Sequence, residues 1–281
     1  MAEPSIRVLG GDARSVPAIG DRSVHLVVTS PPYPKIALWD ALFASLGATS
    51  FEAMHEVLAA AWSESYRVLV EGGILAVNIG DAVRSDATGF RLWPNHVRTS
   101  QAAEAAGFRP LPYILWKKPT NKPNAFLGSG FLPPNAYVTM DCEFILLFRK
   151  GGLRSFPRHD PVRAASRYSR PERDQWFSQV WEGIRGIRQG PELRRSGAFP
   201  EEIPERLIRM FSCAGDTVLD PFAGSGTTLW VAHRLGRSAI GVELDAHRVD
   251  ALRTRAECEA GAATRRPGPP RGARAPRRQR A

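Results

Sequence analysis

Apolar residues recur along this chain in two periods. Short runs such as Ile6-Arg7-Val8-Leu9, Val24-His25-Leu26-Val27-Val28 and Ile74–Ile79 predict strands. Leu111–Trp116, Glu143–Phe148, Thr217–Asp220 and Ser238–Val242 add four more. Helical period lies between them. One helix is expected from near Thr49, where Thr49 and Glu52 have capping-box spacing. Phe51, Met54, Leu58, Ala61, Trp62 and Leu69 fall on its one face, and Gly72-Gly73 should stop it. Further helices are expected from Pro94 to Ala106, Pro200 to Phe211, Thr228 to Leu235, and beyond Glu243 to about Cys258. Two segments break the pattern. Lys117–Tyr137, rich in Pro, Asn, Gly and Lys, reads as a long loop. Arg149–Ser196 is basic, with Phe156, Tyr168, Trp176, Phe177 and Trp181 interspersed. That mixture suits nucleic acid, by pairing phosphates and stacking bases. It equally suits an insertion whose aromatics tuck onto the core.

The Val24 run ends on Thr29-Ser30-Pro31-Pro32-Tyr33. Pro31 and Pro32 cannot donate ladder hydrogen bonds, and each biases the residue before it to an extended conformation. The chain therefore makes a stiff corner at the carboxyl end of a strand, where open α/β sheets place ligands. A hydroxyl, two carbonyls and a ring suit a flat substrate with hydrogen-bonding edges. An ordinary proline-rich loop exit is the alternative.

Bulk properties narrow the setting. The 281 residues suffice for one large α/β domain or two smaller ones. No apolar run approaches the roughly 18 residues of a membrane span, and no secretory signal is visible after Met1, so no membrane association is expected. Cys142, Cys213 and Cys258 form neither a disulfide framework nor a zinc pattern, which points to a reducing cytoplasm and no metal. The net charge is +10, but Ala262–Ala281 carries seven arginines and no acid. This tail is too rich in Pro, Gly and Arg to bury a core. It is either a non-specific phosphate-binding extension or a solubilising one.

A second constellation lies almost two hundred residues downstream. Strand, glycine-rich turn, helix, strand and terminal acid make a nucleotide-binding unit, here running from Thr217 to Glu243. An ATP loop would need a lysine before its hydroxyl residue, and Ala223–Thr228 has none. A dinucleotide site would prefer glycine where Leu229 stands, and would not aim Asp220 at a pyrophosphate. S-adenosylmethionine fits better. It offers an ammonium to Asp220 and a ribose to Glu243.

Together these stretches resemble the amino-group DNA methyltransferases of the permuted class, with the catalytic motif first and the cofactor motif last. Ser30, Pro31, Pro32 and Tyr33 resemble the catalytic motif. Asp220, Pro221, Phe222, Ala223, Gly224, Ser225, Gly226 and Thr227 resemble the cofactor motif. Phe199 and Pro200 resemble the segment at the cofactor's methionine part, and Gly11-Asp12 the turn near its adenine. Trp116 with Lys117-Lys118-Pro119 loosely resembles a later motif near the target base.

The resemblance implies a Rossmann-like S-adenosylmethionine-dependent α/β fold, permuted, with a mixed, mostly parallel seven-stranded sheet and flanking helices. It implies a methyltransferase domain over 1–260, a target-recognition candidate at 151–196 and a disordered tail at 261–281. In the family's sheet the Asp220 strand lies beside the Val24 strand, and the Ser238 strand beside the Ile6 strand. The two ends of the chain should thus pair in mid-sheet.

The implied chemistry is methylation of an exocyclic amino group in flipped-out DNA. Ser30's hydroxyl and Pro31's carbonyl would accept its N–H bonds, and Tyr33 would stack on the base. Serine at the first motif position goes mostly with cytosine N4 in this family, and aspartate with adenine N6, so Ser30 favours cytosine N4. Cytosine C5 chemistry needs a cysteine nucleophile, usually after proline, and no cysteine here follows one. DNA is the implied partner. A cognate restriction endonuclease often accompanies the family, and a homodimer is compatible with it. His96, His159 and His233 read as packing or surface residues, and Asp81 as either a motif residue or a strand-end acid.

Overall fold

The computed structural model describes residues 3–86, 89–119, 133–134, 138–186 and 199–264. The first half holds β1 (Ile6–Gly10), β2 (Val24–Thr29), α1 (Asp40–Ser45), α2 (Phe51–Val68), β3 (Leu69–Ile79), β4 (Ala82–Asp86), β5 (Gly89–Trp93), α3 (Asn95–Ala105) and β6 (Phe108–Lys117). The second holds β7 (Cys142–Lys150), α4 (Pro161–Ala165), α5 (Arg170–Trp176), β8 (Val180–Trp181), α6 (Glu202–Phe211), β9 (Thr217–Asp220), α7 (Thr227–Arg234), β10 (Ser238–Glu243) and α8 (Ala246–Thr264).

The main sheet runs β1-β10-β9-β2-β3-β7-β6-β8. Its pairs are parallel except those that β7 makes with β3 and β6. The permuted pairing appears as expected: β9 lies beside β2 through Leu26↔Val218 and Val27↔Leu219, and β10 beside β1 through Val8↔Gly241. The β2–β9 seam is central, whereas β1 sits at the edge, with no strand on its outer side among the described residues. Side chains alternate along β2. Leu26 and Val28 join one core layer with Leu207 of α6 and Leu229 of α7, while Val27 joins the other with Leu58 and Trp62 of α2. That alternation is the period-2 rule applied to a sheet covered on both faces.

Several local expectations are corrected. The cap of α2 is Ser50, whose hydroxyl accepts from Ala53 N at 3.0 Å, and not Thr49. The helix stops at Val68, because Leu69 already pairs with Val24; Gly72-Gly73 therefore lies within β3 and terminates nothing. The sheet has eight strands, not seven, since Val180-Trp181 adds a short edge beside Leu115 and Trp116. Trp176 and Trp181 are buried: Trp181 Nε1 donates to Trp176 O at 2.9 Å. Of the aromatics in the basic segment these two are core, while Phe177 remains exposed. The β4–β5 hairpin was not expected. Most of the Lys117–Tyr137 loop, residues 187–196 of the recognition candidate and tail residues 265–281 lie outside the described residues.

Candidate active site

The proline corner leaves β2 at the sheet's centre. Thr29 is the last paired residue, and Ser30 to Tyr33 carry no ladder bonds. Pro31 and Pro32 are buried, as is Pro34. Two residues that the sequence pattern did not single out brace the corner from outside. Buried Asn95, at the start of α3, donates to Pro34 O at 3.0 Å and Gly80 O at 2.9 Å. Arg84 of the hairpin donates to Lys35 O at 2.5 Å and binds Asp40 through both carboxylate oxygens. These contacts hold the exit of the corner, and the ladder holds its entry at Thr29, which suits a site whose work is positioning.

A polar network lies beside it. Ser30 Oγ is 3.1 Å from Tyr33 Oη, which is 3.0 Å from Glu143 Oε2. Asn78, at the end of β3, donates to Tyr33 Oη at 2.8 Å and to Glu143 Oε2 at 2.7 Å. Lys118 completes it by pairing with Glu143. Burial, with the charge of Glu143, pushes the Tyr33 phenol well above its ordinary range, so it stays protonated. Gly80 is packed tightly here: a Cβ on it would lie 3.2 Å from the Tyr33 ring and 3.2 Å from Glu143 Cγ. Glu143, Asn78 and Gly80 were not singled out from sequence. The one available signal was their place at strand ends: Asn78 and Gly80 at the end of β3, and Glu143 at the start of β7.

The glycine-rich turn follows β9. Gly226 opens α7 at φ 77°, and a Cβ there would stand 2.6 Å from Leu252. A side chain is thus excluded both by conformation and by space. Asp220 is buried, accepting from Thr29 Oγ1 at 2.7 Å and Phe222 N at 3.1 Å. Burial raises its pKa to about 6. Its carboxylate faces Thr29, the residue before Ser30, and so ties the glycine-rich turn to the proline corner; it does not line the cavity below. Glu243 accepts from Gly224 N at 2.8 Å and Asp245 N at 2.9 Å, leaving further lone pairs on both oxygens. Asp12 pairs with Arg14 at 2.7 Å. Burial pushes the Asp12 carboxyl up, but hydrogen bonds and charge from Arg14 outweigh it and hold it below its ordinary value.

Corner and turn open into one cavity of about 490 Å³. Ser30 and Pro32 line it beside Asp12, Pro221, Phe222, Gly224 and Glu243. Leu38, Trp39, Leu42 and Val57 add an apolar wall. The remaining expected residues stand elsewhere. Ala223 and Phe199 are core, Pro200 is buried ahead of α6, and Ser225 and Thr227 bond each other at 3.1 Å behind the turn. Pro31 and Tyr33 flank Ser30 without lining the cavity. The volume falls within the roughly 300–1,000 Å³ of small-molecule sites. Two carboxylates, exposed backbone and an apolar wall fit S-adenosylmethionine, with Glu243 placed for ribose hydroxyls and the apolar wall for adenine. Asp81 and His96 prove structural: Asp81 accepts from His96 N at 3.1 Å at the start of α3, and His96 stacks on Phe144 at 3.9 Å. Cys142 has its thiol pKa raised, by burial and then Asp141, the reverse of an activated nucleophile.

Comparisons with known proteins agree with this geometry. A family model described as DNA methylase matches residues 24–254. The Type II methyltransferase M.MjaI of Methanocaldococcus jannaschii is 53% identical over 85% of this chain and 87% of its own length. The Type II methyltransferase M.MthZI of Methanothermobacter thermautotrophicus is 46% identical over 84% of this chain and 72% of its own. Among solved structures, a putative DNA modification methylase from Thermus thermophilus, complexed with S-adenosyl-L-methionine, aligns with a TM-score of 0.72 at 36% identity, covering 91% of this chain and 95% of that one.

Proposed function

This chain belongs to the DNA methylase family, with S-adenosyl-L-methionine as methyl donor, and from that premise we propose that it methylates the N4 amino group of cytosine in duplex DNA. The observation that carries the reading is the meeting of Ser30 and Pro32 with Asp12, Phe222 and Glu243 around one cavity. The donor supplies an electrophilic methyl group on a sulfonium. The chain's own residues supply the rest. Asp12, Phe222, Gly224 and Glu243 hold the donor, and the corner holds the target.

An exocyclic amino nitrogen is a poor nucleophile because its lone pair is delocalised into the ring. Ser30 Oγ and the Pro31 carbonyl accept its two N–H bonds. This draws the nitrogen towards tetrahedral geometry and directs its lone pair at the methyl group. Positive charge develops on nitrogen during transfer, and the same two acceptors stabilise it, as an oxyanion hole does with the opposite sign. The Tyr33 ring stacks on the base, which must leave the duplex to reach the corner. Thr29 and Asp220 keep the two halves in register.

Ser30 supports cytosine N4 through the family's motif preference. The likeness to two Type II methyltransferases supports a modification enzyme partnered by a restriction endonuclease in a reducing cytoplasm. Target recognition is assigned to the part of 151–196 that returns to the corner end of the sheet, where Glu182 pairs with Lys117 at 3.4 Å. The test is nucleoside analysis of DNA from cells expressing the chain. N4-methylcytosine is expected; N6-methyladenine alone would overturn the base assignment while leaving amino-group methylation intact.

A further inference from the structure

The network beside Ser30 has a direction. At 3.1 Å, Ser30 Oγ and Tyr33 Oη can each donate to the other. Their neighbours remove that freedom. Glu143 meets Tyr33 Oη, Asn78 Nδ2 and Lys118 Nζ, and as a carboxylate it accepts from all of them. The Asn78 amide is oriented by the same contact, since its oxygen placed 2.7 Å from a carboxylate oxygen would be repelled. Tyr33 has one proton, and that proton goes to Glu143. Its oxygen then receives from Asn78 and from Ser30. The Ser30 proton is therefore committed to Tyr33, and Ser30 Oγ turns lone pairs alone towards the cavity that it lines.

We propose that Glu143 is a positioning residue that acts through Tyr33 to make Ser30 an obligate acceptor for the target amino group, and that the same chain carries away the proton this group loses. The proposal rests on the amino-methylation reading. In the step, the nitrogen lone pair forms the N–CH3 bond and the pair of the broken S–CH3 bond stays on sulfur. The nitrogen is left with a positive charge and a surplus proton. That proton passes to Ser30 Oγ as the Ser30 proton passes to Tyr33 Oη and the Tyr33 proton to Glu143 Oε2. One carboxylate is neutralised, one cationic nitrogen becomes neutral, and no other reactant is required. Glu143 has side-chain exposure of 12%, so its proton can pass on to water.

The polarity argues for a chemical consequence as well as an orientation. A glutamine at 143 keeps the volume but presents an amide. With its oxygen on Lys118, its nitrogen faces both Tyr33 Oη and Asn78, so the carboxylate that fixed the Tyr33 proton and the Asn78 amide is gone. Tyr33 is then free to donate to Ser30, and Ser30 is no longer held as an acceptor. Phenylalanine at 33 removes the link without reversing it and keeps the ring.

The experiment is a double-mutant cycle on the full chain. Single-turnover methyl transfer to duplex DNA would be measured for wild type, Glu143→Gln, Tyr33→Phe and the pair, with donor affinity by calorimetry and thermal midpoint alongside. Glu143→Gln should lower the rate about 100-fold, within the range of proton-transfer effects. Tyr33→Phe should cost less, and the double variant should be no slower than Tyr33→Phe, because the amide at position 143 then has no route to Ser30. Donor affinity should stay within about threefold. Glu143→Gln at the wild-type rate, or losses that multiply in the pair, would overturn the proposal, as would a loss matched by weaker donor binding. The product is identified in the same samples. N6-methyladenine with the coupling intact refutes the cytosine assignment and keeps the relay. N4-methylcytosine with multiplying losses does the reverse, and a wild type that methylates neither base overturns both.

Discussion

At the carboxyl ends of β1, β2, β9 and β10 lies the cavity of about 490 Å³ that Ser30 and Glu243 share. Towards the other end of the sheet, where β3 begins and β7 finishes, lies another of about 710 Å³. Arg149, Arg154, Arg163, Arg167 and Arg209 line the second, with Phe156 and Tyr168. Size and charge alone would favour the arginine groove as the DNA-handling site. Its side chains tell otherwise. Arg154 grips Asp216 through two bonds of 2.5 and 2.6 Å, Arg209 pairs with Glu172 at 2.6 Å, and Arg163 lies over Phe156. These contacts fasten the segment after β7, α5 included, to the start of β9 and to α6. In the smaller cavity, polar groups converge from parts of the chain that are far apart in sequence and leave acceptors unspent. Chemistry follows that convergence of spare hydrogen-bonding capacity, and volume does not report it.

The sharpest way to break the comparison is to disable each end separately. Asp216 is buried and also accepts from Cys213 N at 2.7 Å. Asp216→Ala leaves Arg154 without its partner and should cost about 3–5 kcal/mol of stability. The rate per folded molecule should hardly change. Ser30→Ala should do the converse. It should lower single-turnover transfer about 10²–10³-fold, the cost of one preorganised group at a developing charge, with unfolding stability within about 0.5 kcal/mol. Denaturant melts and active-site-titrated rates on both variants check the pair. Equal losses of rate in both would erase the distinction between a structural end and a reacting end.

Asp220 tests how firmly the turn is tied to the corner. Its folded pKa of about 6 lies above the ordinary 3.8. Between those values the native state holds a proton that the unfolded state has released. Stability therefore falls as pH rises through that window, and it is lowest once the buried carboxylate is charged. Asp220→Asn keeps an oxygen for Thr29 and the Phe222 amide but cannot ionise. It should flatten this slope and raise stability at pH 8 by about 2–3 kcal/mol. Donor affinity separates two roles for the residue. Unchanged affinity fits a brace to Thr29, and a tenfold loss fits the ammonium contact first expected of it.

How much of this was readable beforehand depends on the range of the signal. Periodicity located each strand as a local pattern, and the resemblance to the permuted family, carried by the order of the two motifs, implied that β9 pairs with β2. The corner and the turn were visible as motifs. Glu143 was not, since its role depends on β7 entering antiparallel beside β3, with Ile79 paired to Phe144. No local pattern records that pairing. Asn95 and Arg84 were missed for the same reason: they act on Pro34 and Lys35 across sixty-one and forty-nine residues of chain. Thr49 was preferred to Ser50 because the spacing to Glu52 fits a capping box, while the structure bonds Ser50 to Ala53. Trp176 and Trp181 looked suited to bases because aromatic rings among arginines read the same whether they stack on DNA or fill a core.

Gly80 sharpens the comparison within the reacting end. A methyl group there meets the Tyr33 ring and Glu143 Cγ at 3.2 Å, tighter than ordinary contact but without backbone overlap. Gly80→Ala should therefore shift the ring by a few tenths of an ångström and lower the rate about tenfold, near 1.4 kcal/mol of barrier. Donor affinity should be untouched, since neither Tyr33 nor Glu143 lines the donor cavity.

The smallest effect is expected where charge is greatest. Val77 of β3 pairs with Thr29 at the corner, and Gly72 lines the groove five residues back along the strand, so at about 3.3 Å per residue the two stand roughly 17 Å apart. A duplex with its base in the corner meets the carboxyl ends of the central strands, and the groove opens towards their other ends. Arg149, Arg163 and Arg167 make no ion pair among the described residues; Arg163 lies over Phe156, which leaves Arg149 and Arg167 as the groove cations to test. If they touched the bound duplex, Arg149→Gln with Arg167→Gln would lower the salt slope of DNA affinity by up to about 1.8, at about 0.9 for each phosphate left unpaired. If they stand clear of it, the slope and the transfer rate should both match wild type. We expect the match. Removing Ala262–Ala281, with its seven arginines, shows in the same assay whether the tail adds a non-specific phosphate interaction or only solubilises. A steeper loss from the two groove arginines than from the tail would place DNA at both ends of the sheet, and the contrast between them would fail.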